Sequence, residues 1–355
     1  MKVLLLLLLT TLTAAFHLPD MSPLLDKTLS KIDHIYSLVS SDVNDRGMKH
    51  LVCDGDFLDA AILFARLPQN TTGINTASDS NSKKPTLVIL SGFPCLVSYD
   101  PPTETDGPNG AFALALCAVS LGYTVIIATD DCNKIVFERG LTALLERYPC
   151  ISQEVTLKSF PDESKLTSQQ QEEMYQLSNA DLIIACERAG PSTDGKCYTM
   201  RGIDMNSHGL IAPLHTIVEK SNAMFIGIGD GGNELGMGKV ISAVKEHIPF
   251  GEKIGCVVAA DYLVAASVSN WGGYALCGAA ALIRAHDSSL DESASKEWMA
   301  KCLLTDETDL HILKACMEAG CRDGINQRLD EPYVDGMPAE RSLECLRGIW
   351  HVVLN

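Results

Sequence analysis

Acidic residues follow several apolar runs of the sequence, at the points where the runs end. The second run leads to Asp130, the third to Glu187 and Arg188, the fourth to Asp230 and the fifth to Asp261. In an open parallel sheet the carboxyl ends of the strands share one edge, and ligands bind in the crevice beyond it. Carboxylates gathered there repel one another unless a cation, an amine or retained protons offset the repulsion. The pattern therefore predicts a site for a cation or an amine.

Each of these acids also has an ordinary structural explanation, because Asp commonly caps the N-terminus of a helix. The repetition of the feature along successive strands favours a site, and the loop after the first run adds Glu104 and Asp106. An oxygen-rich site favours Mg or Mn as the metal. A zinc site is not indicated, because the nine His are scattered and no H-E-x-x-H motif occurs.

The segment 227–238 combines many glycines with two acids, Asp230 and Glu234. Its first six residues fit G-x-G-x-x-G, and Asp261 ends the next apolar run where a ribose-binding acid would lie, which favours a dinucleotide-binding loop. The two acids argue against that interpretation, because a pyrophosphate requires bare backbone N–H groups. So many glycines indicate that some ligand lies directly against the backbone.

The elements that position these residues follow from the apolar patterns. Short runs rich in Val and Ile predict buried strands at residues 87–90, 124–128, 182–186, 224–228 and 256–260. Helical spacing lies between them, at residues 111–121, 135–147, 168–179, 210–221 and 237–245. Further helices are predicted at residues 23–41, 57–67 and 271–286, and from 292 onward. The alternation predicts an α/β fold, a mostly parallel sheet covered by helices on both faces, with extra helices at both ends.

Composition bounds the kind of protein and its partners. The 355 residues are 46% hydrophobic, and we expect one domain over residues 22–355 with a polar surface loop at 69–84. The net charge of −17 argues against nucleic acid or an anionic membrane surface as a partner. Small molecules are the expected partners, a homo-oligomer is compatible with the sequence, and no integral membrane domain is predicted because the N-terminal apolar run is short.

The N-terminus and the cysteines favour different compartments. Residues 1–15 contain one Lys, a Leu-rich run and a small-residue end, which is typical of a secretory signal or targeting segment. The thirteen Cys form no C-x-x-C pair and favour a reducing compartment. Four of them lie within apolar runs, namely Cys117, Cys186, Cys256 and Cys277. The sequence predicts the secretory pathway and leaves a mitochondrial or cytoplasmic location as the alternative.

The glycine-rich segment also carries a family resemblance. Gly-Asp-Gly-Gly-Asn-Glu-Leu-Gly-Met-Gly at 229–238 resembles the signature of the catalytic domain of the D-glutamate cyclase family. Further blocks are similar to that family's pattern and occur in order, at residues 44–47, 104–108, 187–190 and 198–202, with Asp204 after the last. The resemblance extends from about residue 22 nearly to the end of the chain.

The resemblance implies a hydro-lyase that cyclises D-glutamate to 5-oxo-D-proline and water. The α-amine must lose a proton, the side-chain carboxylate must be neutralised, and the leaving oxygen must be protonated. Our hypothesis gives Asp230 and Glu234 the central roles, one as a ligand of Mg or Mn and one as the acid-base group. The further candidate metal ligands are Glu104, Asp106, Glu187 and Asp204.

Several further residues are predicted to contact the substrate. Arg188 or Arg201 would hold the substrate α-carboxylate, or merely balance the acidic cluster. Asn233 would donate to a developing oxyanion, or merely adopt a left-handed turn conformation. The remaining predicted substrate contacts are Thr105, Gly231 and Gly232. A metal-dependent phosphohydrolase and a non-catalytic nucleotide-binding module are the rival functions.

Overall fold

A sheet of six parallel strands lies at the centre of the computed structural model, which describes residues 24–43, 45–71 and 83–355. The strands are β1 (Thr86–Gly92), β2 (Thr124–Asp130), β3 (Val155–Phe160), β4 (Leu182–Arg188), β5 (Met224–Gly229) and β6 (Tyr262–Ala265). Their order across the sheet is β3-β2-β1-β4-β5-β6. The order reverses between β1 and β4, so the chain leaves these two neighbouring strands in opposite directions and opens a crevice at their carboxyl ends.

Helices cover both faces of the sheet and continue at both ends of the chain. The helices are α1 (Asp26–Val39), α2 (Asp56–Thr71), α3 (Pro108–Leu121), α4 (Lys134–Arg147), α5 (Ser168–Gln176), α6 (His215–Lys220), α7 (Ile241–His247), α8 (Gly251–Ile254), α9 (Ser269–Asp287), α10 (Glu292–Lys301), α11 (Asp306–Glu318) and α12 (Glu340–Leu354). Between α11 and α12, the short strands β7 (Tyr333–Val334) and β8 (Met337–Pro338) form an antiparallel hairpin.

Two apolar cores lie on opposite faces of the sheet. Alternate residues of β1 contribute to each, with Leu87 and Ile89 in the larger core and Val88 and Leu90 in the smaller one, as the period of two in a strand requires. The larger core contains the long helix α9, whose first fifteen residues are buried. A side chain at Gly273 of α9 would lie 3.1 Å from the backbone of α3, so glycine allows these two helices to touch.

The predicted α/β fold is confirmed, including the helices on both faces and at both ends, but the strand at 256–260 was wrong. That segment is a loop that covers the glycine-rich segment, where Ala259 bridges to Gly236. The sixth strand begins at Tyr262 instead. Asp261 therefore precedes a strand and lies near the amino ends of the strands, where it accepts a hydrogen bond from the N–H of Phe225 at 2.7 Å. The prediction that Asp261 ends a strand at a ribose-binding position is therefore wrong.

Strand β3 was not predicted, because it is an edge strand with polar, partly exposed residues. Helix α2 extends to Thr71, into the predicted loop at 69–84, and residues 72–82 of that loop lie outside the described residues. The predicted targeting segment 1–15 lies outside them too. Within the described parts of the chain, no helix has the length and apolar character needed to span a membrane. All thirteen cysteines are free thiols.

Candidate active site

A cavity of about 340 Å³ opens at the carboxyl ends of β1, β4 and β5, where the strand order reverses. Its lining includes two arginines, Arg46 and Arg201. Acids from four separate segments also line it: Glu104 and Asp106 after β1, Glu187 in β4, Asp230 and Glu234 after β5, and Asp335 between β7 and β8. Each of these acids is less than one tenth exposed. The structure therefore brings together most of the acids that the sequence singled out.

The Asp106 carboxylate caps the N-terminus of α9. It accepts the backbone N–H groups of Ser269 and Asn270 at 2.8 Å each, and that of Gly107 at 2.9 Å. These bonds and the positive end of the helix dipole favour the charged carboxylate. Burial and the neighbouring Asp230 act in the opposite direction and raise the pKa of Asp106 to about 7. These three hydrogen bonds hold the Asp106 carboxyl group in place and connect the loop after β1 to α9.

Glu187 lies near the end of β4 in an unusual backbone conformation. Its φ is 45°, a left-handed value that few residues besides Gly, Asn and Asp adopt and that is found most often at functional sites. Its Oε2 accepts a hydrogen bond from Ser269 Oγ at 2.5 Å. Burial, followed by the carboxyl groups of Asp230 and Glu234, raises the pKa of Glu187 well above its usual range. Burial and the neighbouring carboxyl groups therefore favour the protonated form of Glu187.

Glu234 fills a nest of backbone N–H groups in its own loop. Its Oε1 accepts from Asp230 N at 3.2 Å and Gly231 N at 2.7 Å, and its Oε2 accepts from Gly232 N at 2.7 Å. Glycine-rich loops offer this same geometry to phosphate groups. Because the chain's own carboxyl group occupies the nest, these N–H groups are unavailable to a pyrophosphate. Gly231 and Gly232, which the sequence predicted as substrate contacts, donate their N–H groups to Glu234 and do not line the cavity.

The protonated form is also favoured in two further acids of this cavity. Burial, followed by Asp106, Asp335 and Asp230, raises the pKa of Glu104 well above its usual range. Burial, followed by Asp230, also raises the pKa of Glu234, to about 8, even though its backbone hydrogen bonds favour the charged form. Retained protons are one of the ways in which closely spaced carboxyl groups avoid mutual repulsion.

Arg46 and Asp335 belong to the site and were not identified from the sequence. The Arg46 guanidinium donates to Asp230, and it forms a bidentate pair with Asp335 at 2.6 and 2.9 Å. For Arg46 a signal existed, because it lies in the block 44–47 that carries part of the family resemblance. Asp335 occupies a hairpin turn with φ of 50°, followed by Gly336 with φ of 80°, and this Asp-Gly pair indicates only a turn.

Asn233 presents an acceptor beside the cavity. Its Nδ2 donates to the carbonyl oxygen of Tyr198 at 2.7 Å, which fixes the orientation of the amide. Its Oδ1 is buried and has no hydrogen-bond partner among the described residues. A buried acceptor without a partner is unfavourable in an isolated protein. The sequence predicted Asn233 as a donor to an oxyanion or as a residue in a left-handed turn conformation. Its Nδ2 already donates to Tyr198, and Asn233 is not among the described residues with positive φ.

Besides Gly231 and Gly232, three further predicted site residues do not line the cavity. Arg188 is 1% exposed and is held by Asp130 and by the carbonyl oxygen of Ala212. Asp204 pairs with Lys196 at 2.6 Å near the surface. The Thr105 hydroxyl donates to the carbonyl oxygen of Tyr333 at 2.8 Å. Arg188, Asp204 and Thr105 are therefore structural in position, whereas Arg201 does reach the cavity.

A metal ion would have oxygen ligands in this cavity. Glu187, Asp230 and Glu234 each place one carboxyl oxygen within 4.8 Å of the others. Buried carboxyl oxygens at this spacing fit Mg or Mn, which prefer oxygen ligands. Of the other predicted ligands, Glu104 and Asp106 line the same cavity outside this group of three.

The strand order and the acidic crevice define a doubly wound α/β protein with a site suited to a cation or an amine. The model of a family described as "D-glutamate cyclase-like, C-terminal" matches residues 35–350. The chain therefore belongs to the D-glutamate cyclase-like family, as the sequence resemblance predicted. A human relative, "D-glutamate cyclase, mitochondrial", is 33% identical over 253 residues, which are 69% of this chain and 38% of that protein. The chain thus matches well under half the length of the relative.

Proposed function

We propose that the chain cyclises D-glutamate to 5-oxo-D-proline and water. The observation that supports this most is the set of buried acceptors around one small cavity, which suits an ammonium group. The acceptors are the acids of the cavity and Asn233 Oδ1, which has no hydrogen-bond partner within the described parts of the chain. The human relative bears the name of this activity.

The reaction moves two protons from the substrate nitrogen to the departing oxygen. We assign Asp230 the role of accepting the first proton, because it lines the cavity and the hydrogen bond to Arg46 engages one of its two carboxyl oxygens. The freed amine attacks the γ-carboxyl carbon, and the bond from that carbon to one oxygen breaks. Glu104, whose raised pKa favours its protonated form, gives one proton to the departing oxygen, and Asp230 passes on the proton it accepted, so that water leaves. The second proton of the nitrogen then returns Glu104 to its protonated form. Holding the substrate in a folded conformation supplies the orientation that ring closure needs.

Arg201 is the candidate for holding the α-carboxylate, because its guanidinium lines the cavity and a planar guanidinium binds a carboxylate bidentately. Glu187, Asp230 and Glu234 would hold a Mg or Mn ion, which would supply positive charge to polarise the γ-carboxyl group. Exhaustive chelation followed by addition of Mn or Mg tests the ion. Unchanged turnover after chelation would remove it from the proposal.

Incubating the purified chain with D- and L-glutamate, followed by chiral detection of oxoproline, tests the reaction and its stereochemistry. Asp230→Asn should lower turnover by roughly 100-fold or more, the usual contribution of a general base. Asp204→Asn is the matched control, because Asp204 pairs with Lys196 outside the cavity, and it should retain most of the activity. Full activity of Asp230→Asn would contradict the assignment.

A metal-dependent phosphohydrolase also uses gathered carboxylates. Measuring phosphate release from a generic phosphoester beside oxoproline formation separates the two functions. Nucleotide binding is disfavoured because Glu234 fills the nest that a phosphate would need.

For the location of the chain, we propose the mitochondrion rather than the secretory pathway, because the human relative is named as mitochondrial. Microscopy of a C-terminal fluorescent fusion tests this, and staining confined to the secretory pathway would contradict it.

A further inference from the structure

Exposed apolar side chains surround the mouth of the acidic cavity. Tyr99 is 38% exposed and follows β1, Ile203 is 39% exposed and follows β4, and Ile325 is 41% exposed and follows α11. All three line the cavity. Arg322 lies over the Tyr99 ring at 4.5 Å, and Arg201 donates to the carbonyl oxygen of Ile325 at 3.3 Å. Three separate loops therefore place apolar surface around one opening, and such surface often marks a binding site.

The charges around the cavity disfavour a second carboxylate in the substrate. Arg46 and Arg201 are the cationic residues among the described lining residues, and Arg46 is already paired with Asp230 and Asp335. Arg201 is therefore the cation best placed to meet a substrate carboxylate. A divalent ion on the group of three acids would still leave three further carboxyl groups, including Asp335, around the cavity. A ligand with one carboxylate fits this charge distribution better than a ligand with two.

The cavity is also larger than one amino acid requires. Its volume of about 340 Å³ falls within the range of sites that enclose ligands of drug size. An amino acid bound against the acids would leave the apolar rim uncovered. A substituent on the γ-carbonyl group would cover the rim and would also remove the second carboxylate.

Building on the proposed function, we propose that the site also cyclises γ-amides of D-glutamate that carry an apolar amine, with Tyr99, Ile203 and Ile325 around the departing amine. The α-amine attacks the γ-carbonyl carbon, the new nitrogen–carbon bond closes the lactam ring, and the bond to the amide nitrogen breaks. The two protons that leave the substrate ammonium group go to the departing amine and to solvent. The products are 5-oxo-D-proline and a free amine, and no oxidant, reductant or further reactant is needed.

Three substrates separate the effect of charge from the effect of the apolar rim. D-glutamate has two carboxylates, D-glutamine has one and no apolar tail, and γ-D-glutamyl benzylamide has one carboxylate and an aromatic tail. Oxoproline is measured by chiral chromatography against enzyme-free blanks, and benzylamine release is measured in parallel. We expect kcat/KM for the benzylamide to exceed that for D-glutamine by about tenfold, since partial burial of an aromatic ring has an effect of this order.

Variants at the rim test where the tail lies. Ile203→Ser and Ile325→Ser should each lower the ratio of kcat/KM for the benzylamide to that for D-glutamine by about threefold to tenfold. Ile135→Ser is the matched control, because Ile135 is 47% exposed and does not line the cavity. Its ratio should equal that of the wild type. Equal ratios in the rim variants would overturn the assignment of the rim to the departing amine.

The outcomes distinguish this inference from the proposed function. If D-glutamate yields oxoproline but the benzylamide reacts no faster than D-glutamine, the inference is wrong and the proposed function stands. If the benzylamide reacts and D-glutamate does not, the inference holds and free D-glutamate is not the substrate. No oxoproline from any of the three substrates would overturn both.

Discussion

Replacing Glu234 by Ala should turn the loop after β5 into an anion-binding site. In the wild type, the Glu234 carboxyl group accepts the N–H groups of Asp230, Gly231 and Gly232. Alanine removes this acceptor and leaves three backbone donors facing the cavity. A small anion such as formate can then enter the space left by the carboxyl group and accept the same N–H groups.

The loss of stability in Glu234→Ala can be worked from these three hydrogen bonds. Two are 2.7 Å long and the third is 3.2 Å, so two strong bonds dominate. The protonated form of Glu234 is favoured at neutral pH, and hydrogen bonds to an uncharged group contribute about 0.5–1.5 kcal/mol each. Burial beside Asp230 opposes them, as the raised pKa of Glu234, about 8, indicates. We therefore expect a net loss of about 1–3 kcal/mol, or roughly 2–6 °C in Tm for a domain of this size.

Thermal unfolding in sodium formate, with sodium chloride at equal ionic strength as the reference, measures the effect in metal-free buffer. A ligand present at 100 times its Kd stabilises the folded state by about 2.7 kcal/mol, which is enough to restore the Tm of Glu234→Ala. Glu234→Gln is the matched control, because its amide keeps the volume of the side chain and continues to fill the nest. A formate response of Glu234→Ala no larger than that of the wild type would refute this account of the loop.

Three other substitutions test the buried charges. Arg46→Met should lower the free energy of unfolding by about 1–3 kcal/mol at pH 8 and by less at pH 5. Burial and Asp230 raise the folded-state pKa of Asp335, so the folded protein is stabilised by the protonated form and loses that stability as pH rises. The loss is larger without Arg46, which offsets the charge of the ionised form. Equal losses of unfolding free energy at both pH values, measured by urea unfolding, would contradict this. Arg188→Met should lower the free energy of unfolding by about 3–5 kcal/mol, because it leaves Asp130 buried without its partner. A raised KM with unchanged stability would instead indicate that Arg188 binds the substrate. Burial raises the pKa of Asp309 to about 6, so the free energy of unfolding of the wild type falls by at most about 3 kcal/mol as the pH rises from about 4 to 6. Asp309→Asn should remove this pH dependence in urea unfolding. An unchanged pH profile in the variant would contradict the assignment.

The central strands could be predicted because burial on both faces leaves a continuous apolar run. The same signal failed at the edges of the sheet. Strand β3 exposes Thr156 and has too little apolar character to be recognised. The apolar segment 256–260 is not a strand, because its buried residues cover the glycine-rich loop rather than pairing in the sheet; Cys256 N donates to the carbonyl oxygen of Gly232 at 3.0 Å. Local hydrophobicity indicates burial and not hydrogen-bond pairing.

The position of acids at strand ends predicted much of the cavity, because the carboxyl ends of parallel strands share one edge. The pattern could not show that Glu187 lines the cavity and that its neighbour Arg188 does not. Arg188 pairs with Asp130 instead. The pattern also could not find Arg46 and Asp335, since Arg46 precedes β1 and Asp335 follows β6, the last strand of the six-stranded sheet in the sequence. Their meeting depends on how the terminal segments pack against the sheet, which a local pattern does not record.

The acids of the cavity are held together by several separate means. The N-terminus of α9 stabilises the Asp106 carboxyl group, and the backbone nest stabilises that of Glu234. The Arg46 guanidinium offsets the negative charge of Asp230 and Asp335. The protonated forms of Glu104 and Glu187 are favoured, as their raised pKa values indicate. A core selected only for stability would gain from apolar residues in place of such buried ionisable groups. Gathering them at one crevice is disfavoured by desolvation in the free protein, and a bound ammonium group offsets part of that cost, so substrate should raise the Tm of this protein as well as react within it.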